Sequence, residues 1–137
     1  MLRNTKIDLL REVALFAGCS KRELSEIARI ADEIDFPAEK TLITQGEPGR
    51  QCFVLIEGSV EVVKDGKRID PARCSSEIFG EIALLSGGPC TATVTTASPV
   101  RALVIVPQAF KGLLDRSPSI QRRVLHSMSE RLAPHVI

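Results

Sequence analysis

Between about residues 35 and 107, no apolar run of this chain outlasts a β-strand, and glycine, proline or an Asp-Gly pair stands near the ends of each. Many short β-branched runs separated by turn residues pair laterally and fold back into a sandwich or roll. Thr41 to Thr44 reads as a short strand, followed by a loop holding Gly46, Pro48 and Gly49. Cys52 to Glu57 and Ser59 to Lys64 are two more, with Gly58 between them at a bend or bulge. Asp65-Gly66 is the strongest hairpin signal, because this pair suits a tight turn that needs positive φ at both positions. Thr91 to Thr96 and Val100 to Val106 complete the set around a Ser98-Pro99 turn.

The flanks follow a helical period. Over residues 5 to 34, Leu9, Leu10, Val13 and Ala14 recur at helical spacing, Phe16 anchors the connection, and Gly18 suits a C-cap. Ser20 and Glu23 form a capping box, and Leu24, Ile27, Ala28, Ile30, Ala31 and Ile34 extend an apolar stripe. After the strands, Pro107 opens a short helix through Leu114, and Ser117-Pro118 is a serine N-cap with proline at the first helical position. Ile120, Val124, Leu125, Met128 and Leu132 then line one side of a last helix, which Pro134 ends. That stripe either packs on the roll or forms the seam of a weak homodimer over residues 118–132, while Gln121-Arg122-Arg123 reads as a solvated face. The expected architecture is a single domain over residues 1–137, mainly β. It has helices over about 5–34, a β-roll over about 35–107 and C-terminal helices over about 108–133.

Composition excludes several classes. A chain of 137 residues with 44% apolar content suits one folded domain. With 18 Lys+Arg against 17 Asp+Glu, the net charge of +1 exerts no long-range pull on nucleic acid or anionic lipid, so any bound anion must be caught locally. Phe53 to Ile56 and Ala102 to Val106 fall far short of the roughly 18 residues a membrane span needs. The charged stretch Met1 to Arg11 has no signal-peptide core, so a cytoplasmic protein is expected, with neither membrane nor nucleic acid as partner. Cys19, Cys52, Cys74 and Cys90 lie far apart, and His126 and His135 sit near the C-terminus. Free thiols, no metal, no cofactor and no enzymatic activity are the expectation.

One segment breaks the strand pattern. Residues 81 to 86 are good helix formers, bounded by Gly80 and by Gly87-Gly88. A helix that short buries little area, but its N-terminus presents unpaired amides, and Gly80 lets a ligand approach the backbone. Glu81 beside those amides suits a ligand's hydroxyls better than its phosphate. The run Phe79-Gly80-Glu81-Ile82-Ala83-Leu84-Leu85, then Pro89, then Thr91-Ala92-Thr93-Val94, resembles the phosphate-binding cassette of the cyclic nucleotide-binding domain family. That family includes catabolite-activator-type regulators, kinase regulatory subunits and cyclic nucleotide-gated channels. Gly46 before Glu47, and Gly58 between two strands, match glycines typical of its β-roll, and the similarity runs over about residues 10 to 132. The resemblance implies a double-stranded β-helix of jelly-roll type. It also implies that Glu81 holds the ribose 2′-hydroxyl, that Gly80, Ile82 and Ala83 supply backbone amides, and that Thr91 and Ala92 line the phosphate end. Thr91, directly after the arginine position, is associated in the family with tolerance of cGMP.

The sequence departs from that pattern where the family carries its phosphate-binding arginine: here the residue is Cys90. A thiol offers neither a fixed charge nor a planar fork. Charge-assisted hydrogen bonds contribute about 1.5–3 kcal/mol each, so the loss weakens binding by roughly tens- to several-hundred-fold. Ser76-Glu77 also replaces the usual Gly-Asp ahead of the cassette, and Arg73 or Arg50 is a candidate substitute cation that nothing in the sequence itself places at the site. Two functions stay open. One is a regulatory sensor that binds cAMP or cGMP weakly or with altered preference and acts on another protein. The other is a diverged interaction or scaffold module that has lost the nucleotide. Catabolite-activator-type regulators append a winged helix-turn-helix of about 60–70 residues; DNA binding is therefore not expected of these 137 residues, which are either a stand-alone domain or a piece of a longer protein.

Overall fold

The first four residues of strand β3 (Cys52–Glu57), Cys52, Phe53, Val54 and Leu55, are all buried. A strand buried on both faces lies between two apolar layers. Phe53 and Leu55 face one layer, with Ile43, Val60, Val94, Val100, Ala102 and Val104. Cys52 and Val54 face the other, with Leu10, Phe16, Leu24, Leu103, Ile105, Phe110 and Ile120. The apolar run near residue 104 divides the same way, which is why neither run alternates with polar residues.

The structure is a computed structural model and describes residues 3–73, 78–80 and 88–132. Helix α1 (Arg3–Arg11), a 3₁₀ turn (Ala14–Phe16) and α2 (Lys21–Arg29) lead into β1 (Ala31–Phe36) and β2 (Thr41–Ile43). After β3 come β4 (Val60–Lys64), β5 (Lys67–Arg73), β6 (Ile78–Phe79), β7 (Thr93–Thr96) and β8 (Val100–Ile105), then α3 (Pro107–Arg116) and α4 (Pro118–Leu132). The strands form two antiparallel sheets ordered β1-β8-β3-β6 and β2-β7-β4-β5. Both sheets contribute to the first apolar layer, so they close as a jelly-roll β-roll, with the helices packed on the outer face of β3 and β8. Phe16 and Phe110 meet there at 6.2 Å, and Phe36 and Phe53 meet edge-on at 5.8 Å on the roll side.

Local chemistry sets the turns. Asp65 and Gly66 both have positive φ (53° and 79°) and join β4 to β5. At Gly58 (φ 96°) a Cβ would stand 2.4 Å from the Pro99 carbonyl oxygen, so two turns touch through bare backbone. The capping box forms: the Ser20 hydroxyl accepts from the Glu23 amide at 3.1 Å, and the Ser20 amide donates to Glu23 Oε1 at 2.7 Å. Burial raises the Glu23 carboxyl, but the Ser20 amide, the hydroxyls of Ser119 and Ser20, and the Arg123 charge outweigh it and hold the group below its ordinary value.

The N-terminal flank differs from the sequence expectation in two places. The first helix stops at Arg11; Val13 lies in a bend and Ala14 opens the 3₁₀ turn, though Val13 and Phe16 still enter the core. The second helix was expected to reach Ile34, but it ends at Arg29 with Ile30 as C-cap. Residues from Ala31 on pair without a break with β8, from Ala31↔Ile105 to Phe36↔Val100, and Ile34 is exposed. A continuous ladder to a core strand outweighs a weak helical preference in a stretch with two aspartates. At the other end, Ile120 and Val124 are buried in the helix-side core, so that part of the stripe packs on this chain's own roll rather than forming a seam. The side chains of Met128 and Leu132, and Pro134, lie outside the described residues.

Candidate functional site

The loop from Thr44 to Gln51, between β2 and β3, is joined to the chain entering β7. The Gly46 amide donates to the Cys90 carbonyl at 2.9 Å, the Cys90 amide donates to the Glu47 carbonyl at 2.9 Å, and Pro48 and Pro89 form a β-bridge. The Gln45 amide donates to Thr93 Oγ1 at 3.0 Å, while the Gln45 side chain holds Asp65 through its Nε2 (2.7 Å) and Oε1 (2.9 Å). Cys90 is therefore fixed by its main chain, and no backbone requirement dictates what its side chain must be.

That side chain lines a cavity of about 220 Å³ shared with Thr41, Ile43, Thr44, Glu47, Arg50 and Gln51. It is half-buried against the roll-side core. Burial, and then the nearby Glu47 charge, push the Cys90 thiol above its ordinary value. The group at this corner is thus a neutral thiol at neutral pH, a poor nucleophile and no cation.

Gly80 reaches the same corner from the other side. Its φ is 90°, and a Cβ there would stand 2.8 Å from the Gln51 carbonyl oxygen and 3.4 Å from Ile43 Cδ1. Only glycine lets the backbone approach this closely. Just before it, Phe79 pairs with Phe53 and Ile78 with Val54 on the edge of the β3 sheet. Gly80 and Cys90, which bracket the cassette in sequence, therefore share Ile43 and Gln51 as neighbours. Thr91 is exposed and Ala92 half-buried, and neither is among the residues lining the cavity. Glu81, Ile82 and Ala83, with Cys74 and Ser76-Glu77, lie outside the described residues, as does the side chain of Arg73.

Sequence reasoning missed Thr41, Thr44 and Gln51 as cavity residues. Their polarity was visible, but the bridge that turns their loop toward Cys90 spans some forty positions and leaves no local mark. Among the described residues no cluster of His, Cys, Asp or Glu is placed to hold a metal ion, and no helix is long and apolar enough to cross a membrane.

Comparison with known proteins agrees with this architecture. Residues 33–117 match the cyclic nucleotide-binding domain family. The chain is 26% identical over 132 residues to a CRP-like cAMP-activated global transcriptional regulator of Mycobacterium tuberculosis, covering 91% of this chain and 58% of the regulator. It is 32% identical over 120 residues to a cAMP-dependent protein kinase regulatory subunit of Emericella nidulans, covering 86% of this chain and 29% of that subunit. It thus spans only part of the length of these curated relatives. Among solved structures, the N-terminal domain of a transcriptional regulator from Streptomyces coelicolor A3(2) superposes with a TM-score of 0.82 at 28% identity, covering 93% of this chain and 94% of that one. The match to the family spans most of the β-roll, including both sides of the corner formed by Gly80 and Cys90, and the chain belongs to the cyclic nucleotide-binding domain family.

Proposed function

We propose that this chain is a non-enzymatic regulatory sensor domain that binds cAMP or cGMP weakly and passes the binding state to another protein in the cytoplasm. The observation that carries the reading is the shared corner: Gly80 lies close to Ile43 and Gln51, and those two residues line one cavity with Cys90. In this reading Glu81 takes the ribose 2′-hydroxyl, the amides of Gly80, Ile82 and Ala83 take phosphate oxygens, and Thr91 and Ala92 close the phosphate end. Phe79 sets the approach to the cassette from the sheet edge. A weak homodimer through residues 118–132 belongs to the same proposal, with Leu125, 62% exposed, as its apolar contact. No metal or cofactor takes part.

One observation favours a second reading, a scaffold that has lost its nucleotide: Cys90 is a neutral thiol with the Glu47 charge beside it. Isothermal titration with cAMP and cGMP separates the two. Cys90→Arg restores a charge-assisted fork and raises affinity for at least one nucleotide by about one to three decades. Thr91→Ala in that background then weakens cGMP more than cAMP. If Cys90→Arg leaves both nucleotides undetectable, the sensor reading is wrong and the scaffold reading stands.

A further inference from the structure

We infer that Arg50 supplies the positive charge for the phosphate of the bound cyclic nucleotide, the part that position 90 does not play; the inference rests on the nucleotide reading of this site. Arg50 lines the same cavity as Cys90 and directly precedes Gln51, whose carbonyl lies against Gly80. Through Cys90, which lines its cavity, and Gln51, which follows it in sequence, Arg50 adjoins the residues on either side of the cassette without belonging to it. Its side chain is exposed and, among the described residues, has no carboxylate partner. Other arginines are engaged elsewhere: Arg101 with Asp35 at 2.9 Å, Arg68 with Glu61 at 3.4 Å, Arg123 with Glu23 at 3.8 Å. Thr41, Thr44 and Gln51 add neutral donors around the cavity.

Charge balance points the same way. Glu47 lines this cavity as well, and a carboxylate with no counter-charge would repel a phosphate. The Arg50 guanidinium offsets that charge and offers a planar fork for two phosphate oxygens. An exposed arginine must be drawn in and ordered when the ligand arrives, so it makes a weaker phosphate contact than one held in the cassette itself.

The test is titration of cAMP, and separately of cGMP, into the wild type, Arg50→Gln, Arg50→Lys, Cys90→Arg and the Arg50→Gln/Cys90→Arg double variant, all checked for equal thermal unfolding. The wild type is expected to bind weakly but measurably. Arg50→Gln lowers that affinity by about ten-fold or more, and Arg50→Lys loses only part of it. On the Cys90→Arg background the same Arg50→Gln change has a much smaller effect, because two cations then serve one phosphate. Equal affinity of wild type and Arg50→Gln overturns the assignment. A wild type silent to millimolar cAMP and cGMP beside a binding Cys90→Arg overturns the assignment and the wild type's own sensor role, while leaving the cassette's fit to a nucleotide intact. Silence of both removes the nucleotide reading and the assignment together.

Discussion

Gly58 leaves no room for a methyl group. A Cβ at this position would come 2.4 Å from the Pro99 carbonyl oxygen and 2.9 Å from a Val100 methyl, and its φ of 96° disfavours any other residue. Gly58→Ala is therefore expected to lose ~2 kcal/mol or more, read as a lowered urea midpoint with an unchanged slope. A midpoint within error of wild type would show that the Pro99 turn yields freely. The sequence marked this glycine as a bend between strands, but not its reason, because Pro99 lies far along the chain. Cys90 is the opposite case: the sequence identified the odd residue at once, whereas its neighbours Thr41, Thr44 and Gln51 emerge only when Pro48 pairs with Pro89.

At the scale of one element, the capping box makes the start of α2 sensitive to acid. The Glu23 carboxyl is held below its ordinary value of 4.5 in the folded chain, so its contribution is present in full above that value and is lost as pH falls through the lowered one. Glu23→Gln should flatten the fall in stability at the acid end. Ser20→Ala should cost about 1 kcal/mol near neutrality. Thermal unfolding between pH 3 and pH 7 (roughly the span over which a carboxylate titrates) checks both; an acid limb identical in wild type and Glu23→Gln would assign the sensitivity to other carboxylates. The cap was legible because its two reciprocal hydrogen bonds lie within four consecutive residues, as the Asp65-Gly66 turn was legible from two, whereas Ser119 and Arg123 of α4, which also hold the Glu23 carboxyl down, were not. Strand β1 was not, because its ladder to β8 joins Ala31 to Ile105 and Phe36 to Val100 across the whole roll.

For the whole molecule, α4 is shared between the chain's own core and the proposed dimer contact. Val124 is 2% exposed and holds the helix on the roll, so Val124→Asp should unfold the domain rather than report on association. Leu125→Asp should leave thermal unfolding unchanged and abolish a concentration-dependent rise in mass, measured by light scattering. A wild type that keeps the mass of one chain at every concentration would remove the dimer. The division of β3 and β8 between the two apolar layers has a mechanical corollary. These strands are a party wall: Phe53 and Leu55 plaster one room, Cys52 and Val54 the other, and Cys52 follows the very residue against which Gly80 rests. Close-packed walls do not dent on one side only, so a push at the cavity corner reaches the helix side through the packed side chains of β3 itself.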